Sequence, residues 1–235
     1  MKFDIVTIFP EMFQGPLTES IIRRAVEKKI IEIGIHDLRD FAEGVHRQVD
    51  DTPFGGGGGM VLKPEPLFKA VSSIRGDRRT GAERVILLSP QGERFDQRKA
   101  EELLKYERLI LLCGRYEGVD ERVRERLADE EISIGDFVIT GGELAAMVVI
   151  DALTRLIPGV LGDLESSRKD SFAAGILGYP QYTRPAEFQG MKVPEVLLSG
   201  DHRQIDRWRK EKALENTIRK RPDLIGKNEK RKDAP

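Results

Sequence analysis

With a single cysteine, Cys113, among 235 residues, the chain cannot close an internal disulfide. Histidine is nearly as scarce. His36, His46 and His202 have no cysteine neighbours and none of the spacing of a zinc site, so no structural metal is expected. No apolar run approaches the roughly 20 residues that span a bilayer, which argues against a membrane partner. The opening MKFDIVTIFPEMF carries Asp4 and Glu11 and has no small-residue cleavage site, so it reads as a first strand rather than a signal, and the expected location is the cytoplasm. An excess of one charge is also missing. Lys and Arg number 39 against 40 Asp and Glu, a formal net charge of −1 that excludes a uniformly basic nucleic-acid binder. The basic residues are instead concentrated. From Arg203 to Arg221, eight of them (Arg203, Arg207, Arg209, Lys210, Lys212, Arg219, Lys220, Arg221) stand against Asp206, Glu211 and Glu215 only, a segment able to hold phosphates.

What is present is an alternation of strand and helix patterns. Apolar runs at Phe3–Phe9, Ile30–Ile35, Val85–Leu88, Leu109–Cys113 and Phe137–Thr140 read as buried strands. Between them Ile21–Lys29, Pro66–Ile74, Gln97–Lys105 and Glu143–Leu156 have helical length and spacing. This order predicts an α/β fold, a mostly parallel sheet with helices on both faces, over residues 1–160. Residues 161–185, rich in Gly, Ser and Pro, read as a flexible linker. Residues 186–235 read as a small helical domain, with Ser199-Gly200-Asp201 starting a basic helix whose apolar stripe is Ile205, Trp208 and Leu214.

The most unusual local feature is Phe54-Gly55-Gly56-Gly57-Gly58-Gly59-Met60. It lacks the Gly-Lys-Ser/Thr of a P-loop and has Met60 where a dinucleotide fingerprint needs glycine. What remains is bare backbone suited to close approach by a ligand or another chain; the competing reading is a plain surface loop. Three glycine turns, Leu88–Gly92, Cys113–Gly118 and Ile139–Glu143, each follow a predicted strand. Ligands bind beyond the carboxyl ends of parallel strands, so the three together suggest a nucleoside pocket. A side chain on Gly141 is expected to fill the space where backbone meets that ligand.

The segments IFPEMF, HRQVDDTPFGGGGGM, LSPQG, CGRYEGVDERV, SIGDFVITGGEL, RLIPGVLG, DSF and YTRPAEFQGMKVPEVLLSGDH, followed by Trp208-Arg209, occur in one order along nearly the whole chain. In this the sequence resembles the bacterial tRNA (guanine-N1)-methyltransferases of the knotted SPOUT class. It departs from them at Phe54, Gly58, Ala145 and Gln181. The resemblance implies a trefoil knot near the carboxyl end of the α/β domain and a homodimer with active sites between subunits. It also implies a bent S-adenosyl-L-methionine, with cofactor contacts at Leu88, Ser89, Pro90, Gly114, Tyr116 and Glu117. Further contacts follow at Ser133, Ile134, Gly135, Asp136, Phe137, Val138, Ile139, Gly141 and Gly142. The implied substrate is tRNA with guanosine at position 37, just 3′ of the anticodon. Arg155 and Asp170 match the family's catalytic arginine and aspartate.

Guanine N1 carries a proton at neutral pH and cannot accept a methyl group until the proton leaves, so the implied reaction needs a base. Asp170 is the expected base. Arg155 is expected to donate to O6, where charge gathers as the proton departs. The family also suggests Mg2+ at the same oxygen. Judged without the resemblance, Asp170 reads as a solvated loop charge and Arg155 as a surface residue. Two alternatives stay open at this point: a knotted methyltransferase acting on a ribose 2′-OH or another base, and a non-catalytic RNA-binding dimer.

Overall fold

The computed structural model describes residues 1–76, 81–162 and 170–225. The chain divides into two compact units, Met1–Gly162 and Asp163–Pro235. The first is an α/β unit whose strands are β1 (Lys2–Thr7), β2 (Glu32–Asp37), β5 (Glu83–Arg94), β6 (Arg108–Cys113) and β7 (Glu130–Ser133), with two short strands, β3 (Asp50–Asp51) and β4 (Val61–Leu62), forming a separate antiparallel pair. The five long strands lie in the order β2-β1-β6-β5-β7, every neighbouring pair parallel. The helices are α1 (Ser20–Glu27), α2 (Pro64–Arg75), α3 (Gln97–Leu103), α4 (Glu121–Arg126) and α5 (Gly142–Thr154).

Strand β6 shows why the sheet is covered on both sides. Leu109, Leu111 and Cys113 pack into one core with Phe3, Ile86, Ile132 and residues of α1, α3 and α5. Ile110 and Leu112 point the other way, into a second core with Val6, Val85 and Leu87 and residues of α2 and α4. Successive side chains leave a strand on opposite faces, so an unbroken apolar run marks a strand buried on both.

One predicted strand is absent. Phe137–Thr140 is a loop, and the fifth strand is the preceding Glu130–Ser133, whose acidic residues had concealed it. The chain turns out of β7 where Ser133 Oγ accepts from Gly135 N at 3.2 Å and donates to Gly135 O at 3.0 Å. Gly135 has φ +151°, and its Cβ position is occupied by the Phe137 ring. The turn expected at Leu88–Gly92 is instead part of β5, which shifts register against β7 between Leu88 and Glu93. At that irregularity a Cβ on Gly92 would overlap the Glu131 backbone.

In the second unit β8 (Glu187–Phe188) and β9 (Met191–Lys192) form a hairpin, followed by α6 (Glu195–Leu198) and α7 (His202–Lys220). Gln189 and Gly190, with φ +51° and +78°, make the two-residue turn that matches strand twist. Asp201 starts α7 by accepting from Arg203 N and Gln204 N at 3.0 and 3.1 Å. The buried positions of α7 are Ile205, Ala213 and Thr217. Leu214, expected in the apolar stripe, is about half exposed. Thr217 is buried because its hydroxyl donates to Ala213 O and accepts from Leu177 N, tying residue 177 to the helix. Among the described residues no helix is long and apolar enough to cross a membrane.

Replacing Gly92 by alanine is expected to lower stability by about 1–3 kcal/mol, since the new methyl forces β5 and β7 apart. Urea denaturation measures it, and a variant as stable as the parent would mean that this crossing has slack.

Candidate active site

Beyond the carboxyl ends of β5, β6 and β7 lies a cleft of about 190 Å³. Its wall is built mainly from three stretches, Leu87–Gln91 in β5, Gly114–Val119 after β6, and Glu131–Gly142 excluding Asp136, with Glu121 and Arg124 of α4 and Ala145 of α5 also lining it. The structure thus brings together Leu88, Ser89, Pro90, Gly114, Tyr116, Glu117, Ser133, Ile134, Gly135, Phe137, Val138, Ile139, Gly141 and Gly142. Asp136 is exposed and does not line the cleft. Its neighbours Phe137 and Val138 are 55% and 83% exposed, so they form a rim rather than a floor.

The rim is held by one buried carboxylate. Glu143, fully buried in the first turn of α5, accepts from Thr7 Oγ1 at 2.8 Å and from Arg115 Nε at 2.9 Å. A negative charge there also faces the helix's amino end, where backbone N–H groups favour it. Arg115 donates further to Thr140 O at 3.2 Å and stacks 4.5 Å from the Phe9 ring centroid. Gly142 N donates to Gly114 O at 2.9 Å, and Arg115 and Gly141 form a β-bridge. Two walls of the cleft are thereby fastened to each other and to the end of β1. Arg115 was not among the expected site residues. Its partner Glu143 is 28 residues away, a separation at which nothing in sequence spacing indicates pairing.

The glycines divide by what surrounds them. A Cβ on Gly142 would stand 2.8 Å from Cys113 Cα, so this position tolerates no side chain. On Gly141 a Cβ would overlap Arg115 and stand 2.6 Å from Glu143 Oε2. A side chain there would therefore strike the Arg115–Glu143 brace at the cleft wall. In the glycine loop, Gly55–Gly58 have nothing within 4 Å of a built Cβ, whereas Gly59 would meet Glu117. Phe54 at the loop's start is fully exposed.

Tyr116 takes a left-handed φ of +58° and enters the cleft half exposed. Burial pushes its phenol above the usual range, and the Asp50 carboxylate, hydrogen-bonded to it, adds to the shift. Arg155 closes the carboxyl end of α5 and is exposed. Asp170 is exposed in the second unit, its carbonyl accepting from Ala173 N at 3.3 Å. Ser167, Arg168 and Lys169 before it lie outside the described residues. Among the described residues no group of three or more His, Cys, Asp or Glu is placed to hold a metal ion.

The lining fits an adenosyl ligand. Leu87, Ile132, Ile134 and Ile139 supply apolar surface for the flat faces of a nucleoside, and Gly114, Gly135, Gly141 and Gly142 keep the backbone of the wall bare.

Residues 1–227 match the family described as tRNA (Guanine-1)-methyltransferase TrmD. Among curated relatives, the tRNA (guanine-N(1)-)-methyltransferase of Geobacter sulfurreducens is 62% identical over 229 residues, covering 97% of this chain and 93% of that protein. The protein of the same name from Moorella thermoacetica is 60% identical over 227 residues, covering 97% and 91%. That of Dehalococcoides mccartyi strain 195 is 59% identical over 227 residues, with the same coverage.

Directly behind the cleft, Cys113 is fully buried, and burial pushes its thiol well above the ordinary range; Glu143 adds to the rise and Arg115 opposes it. The native state therefore keeps a proton that the unfolded chain loses near pH ~8.5, so stability should fall as pH rises above that value. Alkylation by iodoacetamide at pH 8 is expected to proceed only as fast as the protein unfolds. Labelling of the native protein at the rate seen in denaturant would contradict this environment.

Proposed function

Since the chain belongs to the tRNA (guanine-1)-methyltransferase family and is a methyltransferase acting on tRNA, we propose that it methylates N1 of guanosine 37 with S-adenosylmethionine as donor. The observation that carries this reading is the cleft, in which 14 of the expected cofactor contacts meet beyond the carboxyl ends of three parallel strands. Bound S-adenosylmethionine supplies the methyl group as a sulfonium electrophile.

The chain's own residues do the rest. The backbone turns at Leu88–Pro90, Gly114–Glu117 and Ser133–Gly142 hold the adenosyl group. Asp170 accepts the N1 proton, and Arg155 donates to O6 as negative charge collects there. Tying the base to a segment outside the first unit lets tRNA binding assemble the reactive geometry, which adds to specificity. Stripping water from the carboxylate as the site closes strengthens it as a base. The magnesium ion that the resemblance suggests has no cluster of ligands among the described residues, and no step above uses it.

We also assign residues 1–160 to cofactor binding, 161–185 to the linker and 186–235 to tRNA binding, with Arg203, Arg207 and Lys210 of α7 neutralising phosphates. The active form is a homodimer. In support, Leu144 and Val148, one turn apart on α5, are about half exposed although the rest of that helix is largely buried. Arg155, about two turns beyond Val148, shares their face, as a site completed across the interface requires. The carboxyl part of the first unit is threaded as a trefoil knot. The close passage of Gly142 against Cys113 is what such threading would produce.

The test is methyl transfer from labelled S-adenosylmethionine to tRNA transcripts with G or A at position 37. Label is expected at N1 of G37 only, and Asp170→Asn should slow the reaction by about 100-fold or more with cofactor affinity unchanged. Methylation of both transcripts, or an Asp170→Asn enzyme at the parental rate, would contradict the assignment.

A further inference from the structure

The second unit contains a cleft of its own, of about 330 Å³, lined by none of the catalytic or cofactor residues named above. That volume is at the lower end of small-molecule pockets, roughly 300–1,000 Å³. Its aliphatic base includes the buried Ile205 with Leu197. Tyr182 and Trp208 line it with ring centroids 6.3 Å apart and planes tilted by 55°. Tyr182 is 50% exposed, so the aromatic wall is open to solvent.

Gln181 and Thr183 line it as neutral polar groups, and the charged groups among the described residues are of one sign. Arg184 and Arg209 are present and no Asp or Glu is. The Arg209 guanidinium stands 5.0 Å from the Tyr179 ring centroid, and Asp206 approaches it only to 3.8 Å. Its Nε is buried with no hydrogen-bond partner. A buried N–H without an acceptor is unfavourable, which makes Arg209 a group that gains from an acceptor brought to its side. Aromatic faces beside two guanidinium groups, one with an unmatched N–H, suit a planar ring attached to an anion. They suit an apolar peptide poorly, because it would bring no acceptor to Arg184 or to the Arg209 Nε. On the same helix, Arg203, Arg207 and Lys210 are exposed, so a polyanion lying along α7 reaches this cleft.

We propose that the cleft takes one unstacked nucleotide of the tRNA, its base against Tyr182 and Trp208 and its phosphate or base edge on Arg209. The proposal rests on the tRNA reading above and adds a second, non-reacting subsite. Base-on-aromatic stacking is tolerant of sequence, so the subsite anchors an extruded base instead of choosing among tRNAs.

Trp208 is the only tryptophan in the chain, which makes its fluorescence a report on this cleft alone. Titrating the full-length protein with a tRNA transcript is expected to quench that emission. Tyr182→Ala should weaken tRNA binding by about tenfold, as loss of one stacked base predicts. Tyr182→Phe, which keeps the ring, should retain parental affinity. The dependence of affinity on salt should be the same in both variants, because no phosphate contact has been removed. If the parent binds and methylates tRNA while Trp208 stays silent, or Tyr182→Ala binds as tightly as the parent, the subsite proposal falls alone. If the parent binds no tRNA, the subsite and the tRNA reading fall together. Should Tyr182→Ala not fold, the quench in the parent and the affinity of Tyr182→Phe decide. Quenching by an acidic peptide and not by tRNA would give the cleft to a protein ligand and overturn the proposal.

Discussion

Glu143 carries a full charge where water cannot reach it, and its two carboxylate oxygens are answered by Thr7 from β1 and Arg115 from the turn after β6. An unmatched buried charge is so costly that removing one partner of such a pair typically destabilises by about 3–5 kcal/mol. The constraint therefore fixes geometry at three places. The amino end of α5, the β6 turn and the end of β1 cannot move independently while the carboxylate is satisfied. Arg115 extends the constraint to Thr140, and the Gly142–Gly114 bond closes it through the backbone. The proposed cofactor cleft is the space left between these fastened pieces and β5.

The rest of the first unit places that brace. A parallel sheet buried on both faces sends all its strand ends to one edge, and the turns that leave that edge are the ones free to bind. Helix α5 serves three purposes at once. Its amino end carries Glu143, its buried face fills the core with Ala146, Val149, Ile150 and Leu153, and its exposed face presents Leu144, Val148 and Arg155. The cleft wall, the proposed dimer face and the proposed catalytic arginine thus share one rigid element. The proposed base, by contrast, belongs to the other unit.

The sequence discloses structure where pattern and burial agree. The run Leu109–Cys113 showed a strand covered on both faces, and Ser199-Gly200-Asp201 announced the cap of α7. It misled where apolar residues are not in the core. Phe137 and Val138 look like strand residues yet lie exposed at the cleft rim, while the true edge strand, Glu130–Ser133, begins with two acidic residues. Period and composition also gave no access to the Thr7–Glu143–Arg115 brace, which joins residues from three distant segments. The cofactor set came from family likeness, not from spacing. The one expected contact left outside the cleft, Asp136, sits between rim residues and was carried along by position in the motif.

The most direct measurement is the calorimetric affinity of Glu143→Gln for S-adenosylmethionine. Glutamine keeps the shape but removes the charge that holds Arg115, so a folded variant should bind the cofactor at least about tenfold more weakly. A folded variant with parental affinity would contradict the claim that this buried carboxylate shapes the cleft.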